Sequence, residues 1–195
     1  MFQSTKIIFL REYSYLCRMK DRKLLNIELG RLTPGEYRET RAKSGIVLVL
    51  DNIRSAHNVG SAFRTSDAFG VDKIYLGGIC PVPPSPELRK VALGAEEVVP
   101  FEQVQDVVAL VHRLQADGYT VIAVEQTVHS VKLDRFQPEP GRRYALIFGN
   151  EVDGVQQAVV DAADYALEIP QRGTKHSLNV SVSIGVVLWA LGSGE

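Results

Sequence analysis

Three polar loops of this 195-residue sequence carry residue types that could do chemistry. The first loop is SAHNVGSAFRTSDAFG, residues 55–70, in which Asn58 and Gly60 precede a single arginine, Arg64. A forked guanidinium binds phosphate or carboxylate groups well. We interpret Asn58 as the N-cap of a helix, and Gly60 as room for a ligand at its first turn. Helical spacing of the apolar residues turns Arg64 away from the core, and the inward stripe is Val59, Ala62, Phe63, Ser66 and Phe69.

The second and third loops lie near the C-terminus. FGNEVDGV, residues 148–155, sets Glu151 between two glycines directly after an apolar run, which suggests backbone exposed to a ligand. IPQRGTKHSLNVSVSIG, residues 169–185, is a basic loop whose Ser and Asn side chains run into an apolar helix and need hydrogen-bond partners there. Each loop alone also fits an ordinary turn, or hydroxyls bonded back to the preceding helical turn.

The elements that position these loops follow from apolar runs bounded by Gly, Asp and Pro. Such runs are typical of strands buried on both faces, and they occur at residues 46–50, 73–76, 119–124, 144–148 and 165–169. Helical periodicity predicts helices over 102–116 and over 178–191, the second largely buried. The sequence therefore predicts an α/β domain, a mostly parallel sheet flanked by helices, with ligands at the carboxyl ends of the strands.

Charge and cysteine content bound the function further. Residues 1–45 hold ten Lys/Arg against five Asp/Glu, so we expect a basic N-terminal arm before a domain over 46–195. Such an arm is a plausible RNA contact, although a solvated polar N-terminus explains it equally well. Because Met19 begins a more ordinary N-terminus, we interpret residues 1–18 as a start-site extension or a disordered segment. Two unpaired cysteines, scattered histidines and no apolar run of membrane-spanning length favour a cytoplasmic protein without a metal site or membrane partner.

Taken in order, the three loops resemble the signature motifs of the SpoU branch of the SPOUT RNA methyltransferases. The motifs match at residues 58–70, 146–154 and 169–181, and the resemblance extends from about residue 46 to 191. It implies the SPOUT fold, an α/β sheet with a C-terminal deep trefoil knot, and a homodimer. It also implies transfer of the methyl group of S-adenosylmethionine to a ribose 2′-hydroxyl of tRNA or rRNA.

The resemblance implies roles for individual residues. The positions matching the family's functional residues are Arg64, Asn58, Glu151 and Asn179, with Arg64 as the catalytic candidate. Cofactor contacts are expected at Glu125, Gln126, Thr127, Gly149, Ile169, Ser177 and Leu178. RNA contacts are expected at Arg54, Arg64, Arg172, Lys175 and His176.

The chemistry leaves alternatives for Arg64 and for the protein. Deprotonating a guanidinium at neutral pH costs roughly 8 kcal/mol, which favours a charged clamp on phosphate over a general base. Ser177 as a nucleophile is disfavoured, because its only candidate base is the adjacent His176. A nucleotide-binding hydrolase or reductase would need a GxGxxG or GxxxxGK[ST] loop that the sequence lacks. A non-catalytic RNA-binding protein of the same fold is the remaining alternative.

Overall fold

The computed structural model describes residues 22–30, 33, 35–36, 43–175 and 177–192. The chain divides into two units, Met1–Thr33 and Pro34–Glu195. In the first unit a short 3-10 helix spans Asn26–Leu29, and the Arg22 guanidinium pairs with the Glu28 carboxylate at 2.7 Å. The predicted extension over 1–18 and most of the predicted basic arm lie outside the described residues.

The second unit is built on a seven-stranded sheet in which every paired neighbour is parallel. Its strands are β1 (Ile46–Asp51), β2 (Lys73–Gly77), β3 (Phe101–Val104), β4 (Tyr119–Val124), β5 (Val131–Lys132), β6 (Arg143–Phe148) and β7 (Tyr165–Glu168). Their spatial order is β3-β2-β1-β6-β4-β7-β5. The carboxyl ends of β1, β6, β4 and β7 therefore lie side by side, which is where parallel sheets bind ligands.

Within the described residues, five α-helices cover the two faces of this sheet. They are α1 (Ala56–Ala68), α2 (Pro86–Ala92), α3 (Val107–Ala116), α4 (Gln157–Ala162) and α5 (Val180–Gly192). Side chains alternate along each strand, so that Leu48 and Leu50 pack with α1, α2 and α5, while Val47 and Val49 pack with α3 and α4. Because both faces are covered, the strand sequences are continuous apolar runs, as expected for a parallel sheet.

The predicted α/β class and the five predicted strands are confirmed. The helix predicted over 102–116 begins later than expected. Residues 102–104 belong to β3, which pairs with β2, and α3 begins only at Val107. The Asp106 carboxylate accepts a hydrogen bond from the backbone N–H of Ala109 and fixes that start. β5 and β3 were both missed, because two- and four-residue edge strands have no apolar run long enough to signal them.

Helix α1 begins three residues earlier than the sequence suggested. Its N-cap is Ser55, whose hydroxyl accepts from the backbone N–H of Asn58, so the prediction of Asn58 as N-cap was wrong. Asn58 lies inside the first turn and is 9% exposed. Its side chain is therefore available for contacts with other segments.

Gly60 is buried, and the group that approaches it belongs to α2. A Cβ at Gly60 would lie 2.7 Å from the carbonyl oxygen of Leu88 and 3.0 Å from Cβ of Val91. The interpretation of Gly60 as space for a ligand was therefore wrong, since this glycine permits close packing of α1 on α2. Arg64 is exposed, as predicted.

Helix α5 is less buried than its composition suggested. Ile184, Val187 and Leu188 are buried, but Val182 and Trp189 are 50% and 67% exposed. The Trp189 indole packs edge-on against Phe69, which is itself exposed instead of lying in the core. The described part of the chain thus leaves an apolar face of α5 open.

Substituting Gly60→Ala should lower the free energy of unfolding by about 1–2 kcal/mol, because overpacking against the rigid Leu88 carbonyl outweighs the gain in helix propensity. Chemical denaturation measures this change. The control is Gly173→Ala, where the new methyl group meets nothing within 4 Å and unfolding should be unaffected. Equal stability of the two variants would contradict the close contact between α1 and α2.

Candidate functional site

A cavity of about 480 Å³ opens at the carboxyl ends of β4, β6 and β7. Three segments form its wall: residues 124–126, residues 148–154, and a stretch from Leu167 to the first turn of α5. Its volume lies within the range of small-molecule binding sites, roughly 300–1,000 Å³. The second and third segments hold two of the three loops that the sequence singled out.

The 149–155 loop is a compact turn closed by its own backbone. Asn150 and Gly154 exchange two backbone hydrogen bonds of 2.9 and 3.0 Å, and the Asn150 Oδ1 atom accepts from the N–H of Val152. A Cβ at Gly149 would lie 2.0 Å from the backbone of Gly154 and Val155. Only glycine fits at Gly149, so the loop presents backbone atoms and not side chains at this point of the cavity wall.

A chain of hydrogen bonds joins the three loops. The Asn179 amide donates to Oδ1 of Asn58 at 3.1 Å, and the Asn58 amide donates to Oε1 of Glu151 at 2.8 Å. Glu151 also accepts from the backbone N–H groups of Arg54 and Ser55, at 3.1 and 3.2 Å. Those N–H groups lie at the start of α1, where a carboxylate is electrostatically favoured. Three of the four predicted catalytic residues therefore meet in one connected network.

This network lowers the pKa of Glu151. Burial by itself would raise the pKa of the Glu151 carboxyl, but the hydrogen bonds from Asn58 and from backbone N–H groups outweigh it and hold the pKa below its usual value. The carboxylate is therefore ionised at neutral pH. It acts as a fixed acceptor that orders the loops, which is the role its contacts describe.

Asn179 also organises the start of α5. Its Oδ1 atom accepts from the N–H and the hydroxyl of Ser181, at 2.9 and 2.6 Å, and its carbonyl accepts from the Ser183 hydroxyl at 3.3 Å. The serines that the sequence flagged as needing partners thus bond locally, which was the ordinary interpretation. Asn179 couples the α5 terminus to α1.

The cavity wall contains most of the residues predicted to contact a cofactor. Glu125, Gln126, Gly149, Ile169, Ser177 and Leu178 all line it. Thr127 does not; its carbonyl accepts from the N–H and the hydroxyl of Ser130. The structure thus brings together six of the seven positions, and Thr127 is not among the lining residues.

The wall is rich in carboxylates. Glu125, Glu151, Asp153 and Glu168 line the cavity, and none of its described lining residues is Lys or Arg. Hydrogen bonds from Lys132 and then Ser130 hold the pKa of Glu168 below its usual value, so this residue too is ionised. A site of this composition favours a cationic ligand over an anionic one.

Arg64 is not among the residues that line this cavity. It follows Asn58 by six residues, so the two side chains leave α1 about 120° apart and about 9 Å apart along the axis. Within the described part of the chain Arg64 makes no hydrogen bond or ion pair, and its side chain is exposed. The other predicted RNA contacts Arg54, Arg172 and Lys175 are also exposed, whereas His176 lies outside the described residues.

Several residues of the cavity wall had no predicted role. Asp153, Glu168, Gln171 and Ser183 line the cavity without having been assigned a role. Glu168 had a usable signal, because it ends a predicted strand at the ligand-binding edge of the sheet. Over the described ranges, no group of three or more His, Cys, Asp or Glu side chains is placed to hold a metal ion, and no helix has the length and apolar character needed to cross a membrane.

Comparison with known families identifies the class of protein. The model of the SpoU rRNA Methylase family matches residues 45–189, and the chain belongs to that family.

Individual relatives are similar over the same region. The 23S rRNA (guanosine-2'-O-)-methyltransferase RlmB of Coxiella burnetii is 33% identical over 154 residues, 78% of this chain and 58% of the relative. The mouse tRNA (guanosine(18)-2'-O)-methyltransferase TARBP1 is 31% identical over 79% of this chain and 10% of the relative. An AdoMet-bound rRNA methyltransferase from Sinorhizobium meliloti superposes with a TM-score of 0.70 at 26% identity, covering 82% of this chain and 60% of that one. The chain thus spans less than two thirds of the length of the RlmB relative.

The variant Asn58→Ala should raise the pKa of Glu151 toward the usual carboxyl value, because it removes the strongest of the hydrogen bonds that lower it. Since the folded pKa lies below the usual value, these bonds stabilise the protein above that usual value, and their contribution is lost as the pH falls through the folded pKa. NMR titration of the Glu151 side-chain carboxyl carbon measures the shift.

Gln115→Ala is the matched control, since it removes a side-chain amide that bonds to Ala162 and Asp164, far from Glu151 in the hydrogen-bond network. It should leave the Glu151 titration unchanged. If Asn58→Ala also left the Glu151 pKa unchanged, the backbone N–H groups alone would account for its lowering. The hydrogen bond from Asn58 would then contribute nothing.

Proposed function

We propose that this protein transfers the methyl group of S-adenosylmethionine to a ribose 2′-hydroxyl of tRNA or rRNA. The observation that carries the proposal is the cavity wall on a chain of the SpoU rRNA Methylase family. Four carboxylates line it, no described Lys or Arg does, and only Glu168 is paired with a described lysine, Lys132. S-adenosylmethionine carries a sulfonium cation, which suits an acidic site, whereas a nucleotide phosphate does not. The two named relatives modify a guanosine ribose, so guanosine is the first nucleotide to examine.

The residues present fit this cofactor. The backbone at Gly149 and Ile169 can bond an adenine edge. Each carboxylate oxygen of Glu125 accepts one backbone N–H, from Gln126 or Val155, and each keeps a further lone pair for a cationic group. Ser177 and Leu178 close the opposite wall. When bound, the cofactor supplies an electrophilic methyl group, so the protein needs mainly to align a ribose oxygen with it.

Arg64 is assigned to the RNA and not to the cofactor. Its exposed guanidinium is free of protein partners among the described residues, so it can form a bidentate contact with the phosphate beside the target ribose. From there it stabilises negative charge that develops on the ribose oxygen as its proton passes to solvent water. Arg54, Arg172 and Lys175, with His176 and the basic arm, supply further phosphate contacts.

We further propose that the active site is completed in a homodimer. Arg64 leaves α1 on a different side from Asn58, away from the cavity of its own subunit. The open apolar face of α5 at Val182, Val186 and Trp189 provides a surface that a second copy would bury. A dimer through this face brings the Arg64 of one subunit to the cavity of the other.

We also propose that the C-terminal segment completes a deep trefoil knot. In the sheet, β6 and β4 lie between β1 and β7. The segment after β7 nevertheless brings Asn179 into contact with Asn58, which follows β1. Tracing the chain in a crystal structure tests the knot. The domain division at residues 45/46 and a cytoplasmic location stay predictions.

Transfer of tritiated methyl groups to total tRNA and to ribosomal RNA, followed by mapping of the modified nucleotide, tests the activity. The proposal expects one RNA class to be labelled at a single ribose. Binding of S-adenosylmethionine without any transfer would instead support a non-catalytic RNA-binding protein.

Both Arg64→Ala and Arg64→Lys should lower turnover at least about a hundredfold, since lysine keeps the charge but not the forked geometry. Affinity for S-adenosylmethionine, measured by calorimetry, should stay within about twofold of wild type. Arg113→Ala is the control, because it removes an arginine held by Glu102 at the β3 edge. Substantial activity in Arg64→Ala would end the assignment.

Mixing inactive Arg64→Ala and Asn179→Ala homodimers should restore about a quarter of wild-type activity, because half of the dimers are mixed and each has one intact site. Activity after subunit exchange is the measurement. Light scattering should give a wild-type mass twice the 21.5 kDa of the chain.

Adding Val186→Glu to both variants is the control. A charge on the open face of α5 should separate the subunits and abolish the recovery. If the wild-type protein is a dimer but the mixture of the two single variants stays inactive, Arg64 acts at the cavity of its own subunit.

A further inference from the structure

A buried polar network lies beneath the 149–155 loop and outside the cavity wall. Asp51 ends β1 and is fully buried. Its carboxylate accepts from the Asn52 amide at 2.8 Å, from the Gln156 side chain at 2.7 Å and from the Gln156 backbone N–H at 2.9 Å. None of the ion pairs among the described residues involves Asp51.

A buried charge without a cation is costly unless neutral donors replace the lost water. The three hydrogen bonds to Asp51 supply that replacement, and two of them come from Gln156, 105 residues away. Gln156 directly follows the 149–155 loop and is the N-cap of α4. The carboxylate therefore fixes the point at which the loop ends.

The neighbouring residue fixes the point at which the loop begins. The carbonyl of Asn52 accepts from the Asn150 amide at 2.7 Å, and Asn150 is 8% exposed. The Asn52 side-chain oxygen accepts in turn from the N–H of Ile79 at 3.3 Å. Both ends of the loop are thus bonded to consecutive residues at the carboxyl end of β1.

We propose that Asp51 is a positioning residue, which, together with Asn52 and Gln156, sets the shape of the 149–155 loop before any ligand binds. The inference rests on the proposed function, because that loop forms one wall of the proposed cofactor site. Asp51 acts from below the wall through Gln156 and does not touch the cofactor. A preformed wall avoids the cost of ordering the loop upon binding.

The test uses Asp51→Asn. The new amide has one oxygen for three donors. Its NH₂ group faces either the Gln156 backbone N–H or the Asn52 amide, so that a donor faces a donor in both orientations. Affinity for S-adenosylmethionine, measured by calorimetry, should fall at least about tenfold. Without ligand, the amide hydrogens of Asn150 and Gly154, which bond across the loop, should exchange at least about tenfold faster.

A second substitution should rescue the first. In the double variant Asp51→Asn with Gln156→Glu, the carboxylate at position 156 accepts from the new amide, whose oxygen accepts the backbone N–H at position 156. Both contacts to position 156 are thereby restored, and the Asn52 amide alone loses its acceptor on residue 51. Affinity should return to within about threefold of wild type. Gln156→Glu alone places a second carboxylate next to that of Asp51, and the repulsion between them should lower the affinity for S-adenosylmethionine.

Asp72→Asn is the matched control. The Asp72 carboxylate accepts from the backbone N–H groups of Ser44 and Gly45, at 3.0 and 3.1 Å, at the amino-terminal edge of the sheet. This variant should lower the melting temperature without changing cofactor affinity or the exchange of the loop. A general loss of stability is thereby separated from a loss of loop positioning.

The outcomes distinguish this inference from the proposed function. Unchanged affinity and exchange in Asp51→Asn, or a double variant no better than the single one, would overturn the positioning role. A wild-type protein that does not bind S-adenosylmethionine would overturn the proposed function. Faster exchange in its Asp51→Asn variant would then still support the network beneath the loop.

Discussion

The free N–H groups at the start of α1 need an acceptor, and the Glu151 carboxylate supplies it from a loop almost a hundred residues away. The same carboxylate accepts the Asn58 amide, whose oxygen accepts the Asn179 amide. Removing any member leaves a polar group of the others without a partner in a partly buried position. This link joins the segments that follow β1, β6 and β7, and two of its members, Glu151 and Asn179, line the cavity.

The site separates charge in a way that matches two different ligands. Carboxylates from Glu125, Glu151, Asp153 and Glu168 line the cavity, whereas the exposed arginines lie outside its wall. The proposed cofactor is a cation and the proposed RNA substrate a polyanion, so the two would be attracted to different surfaces. On this account the Arg64 that a partner subunit brings to the cavity meets the RNA phosphate outside the carboxylate wall, because a guanidinium within the wall would compete with the sulfonium for the same carboxylates.

The sequence predicted the sheet better than the edges and contacts that complete it. Runs such as IVLVL and YALIF identify strands because burial on both faces leaves no polar position, whereas β3 and β5 pair at edges and carry no such signal. The motifs located Glu151, Asn58 and Asn179, but not their contact, since spacing along the chain carries no tertiary distances. The role of Gly60 was misread because the approaching group, the Leu88 carbonyl, belongs to a helix whose packing no local pattern specifies.

A crystal structure of the protein soaked with S-adenosylmethionine tests the central claim most directly. The account predicts cofactor density between Glu125, the 149–155 loop and the segment from Ile169 to Leu178, with Asn58 still bridging Glu151 and Asn179. Cofactor bound elsewhere on the chain, or a guanidinium of Arg64 held in an internal ion pair of the assembled dimer, would contradict it.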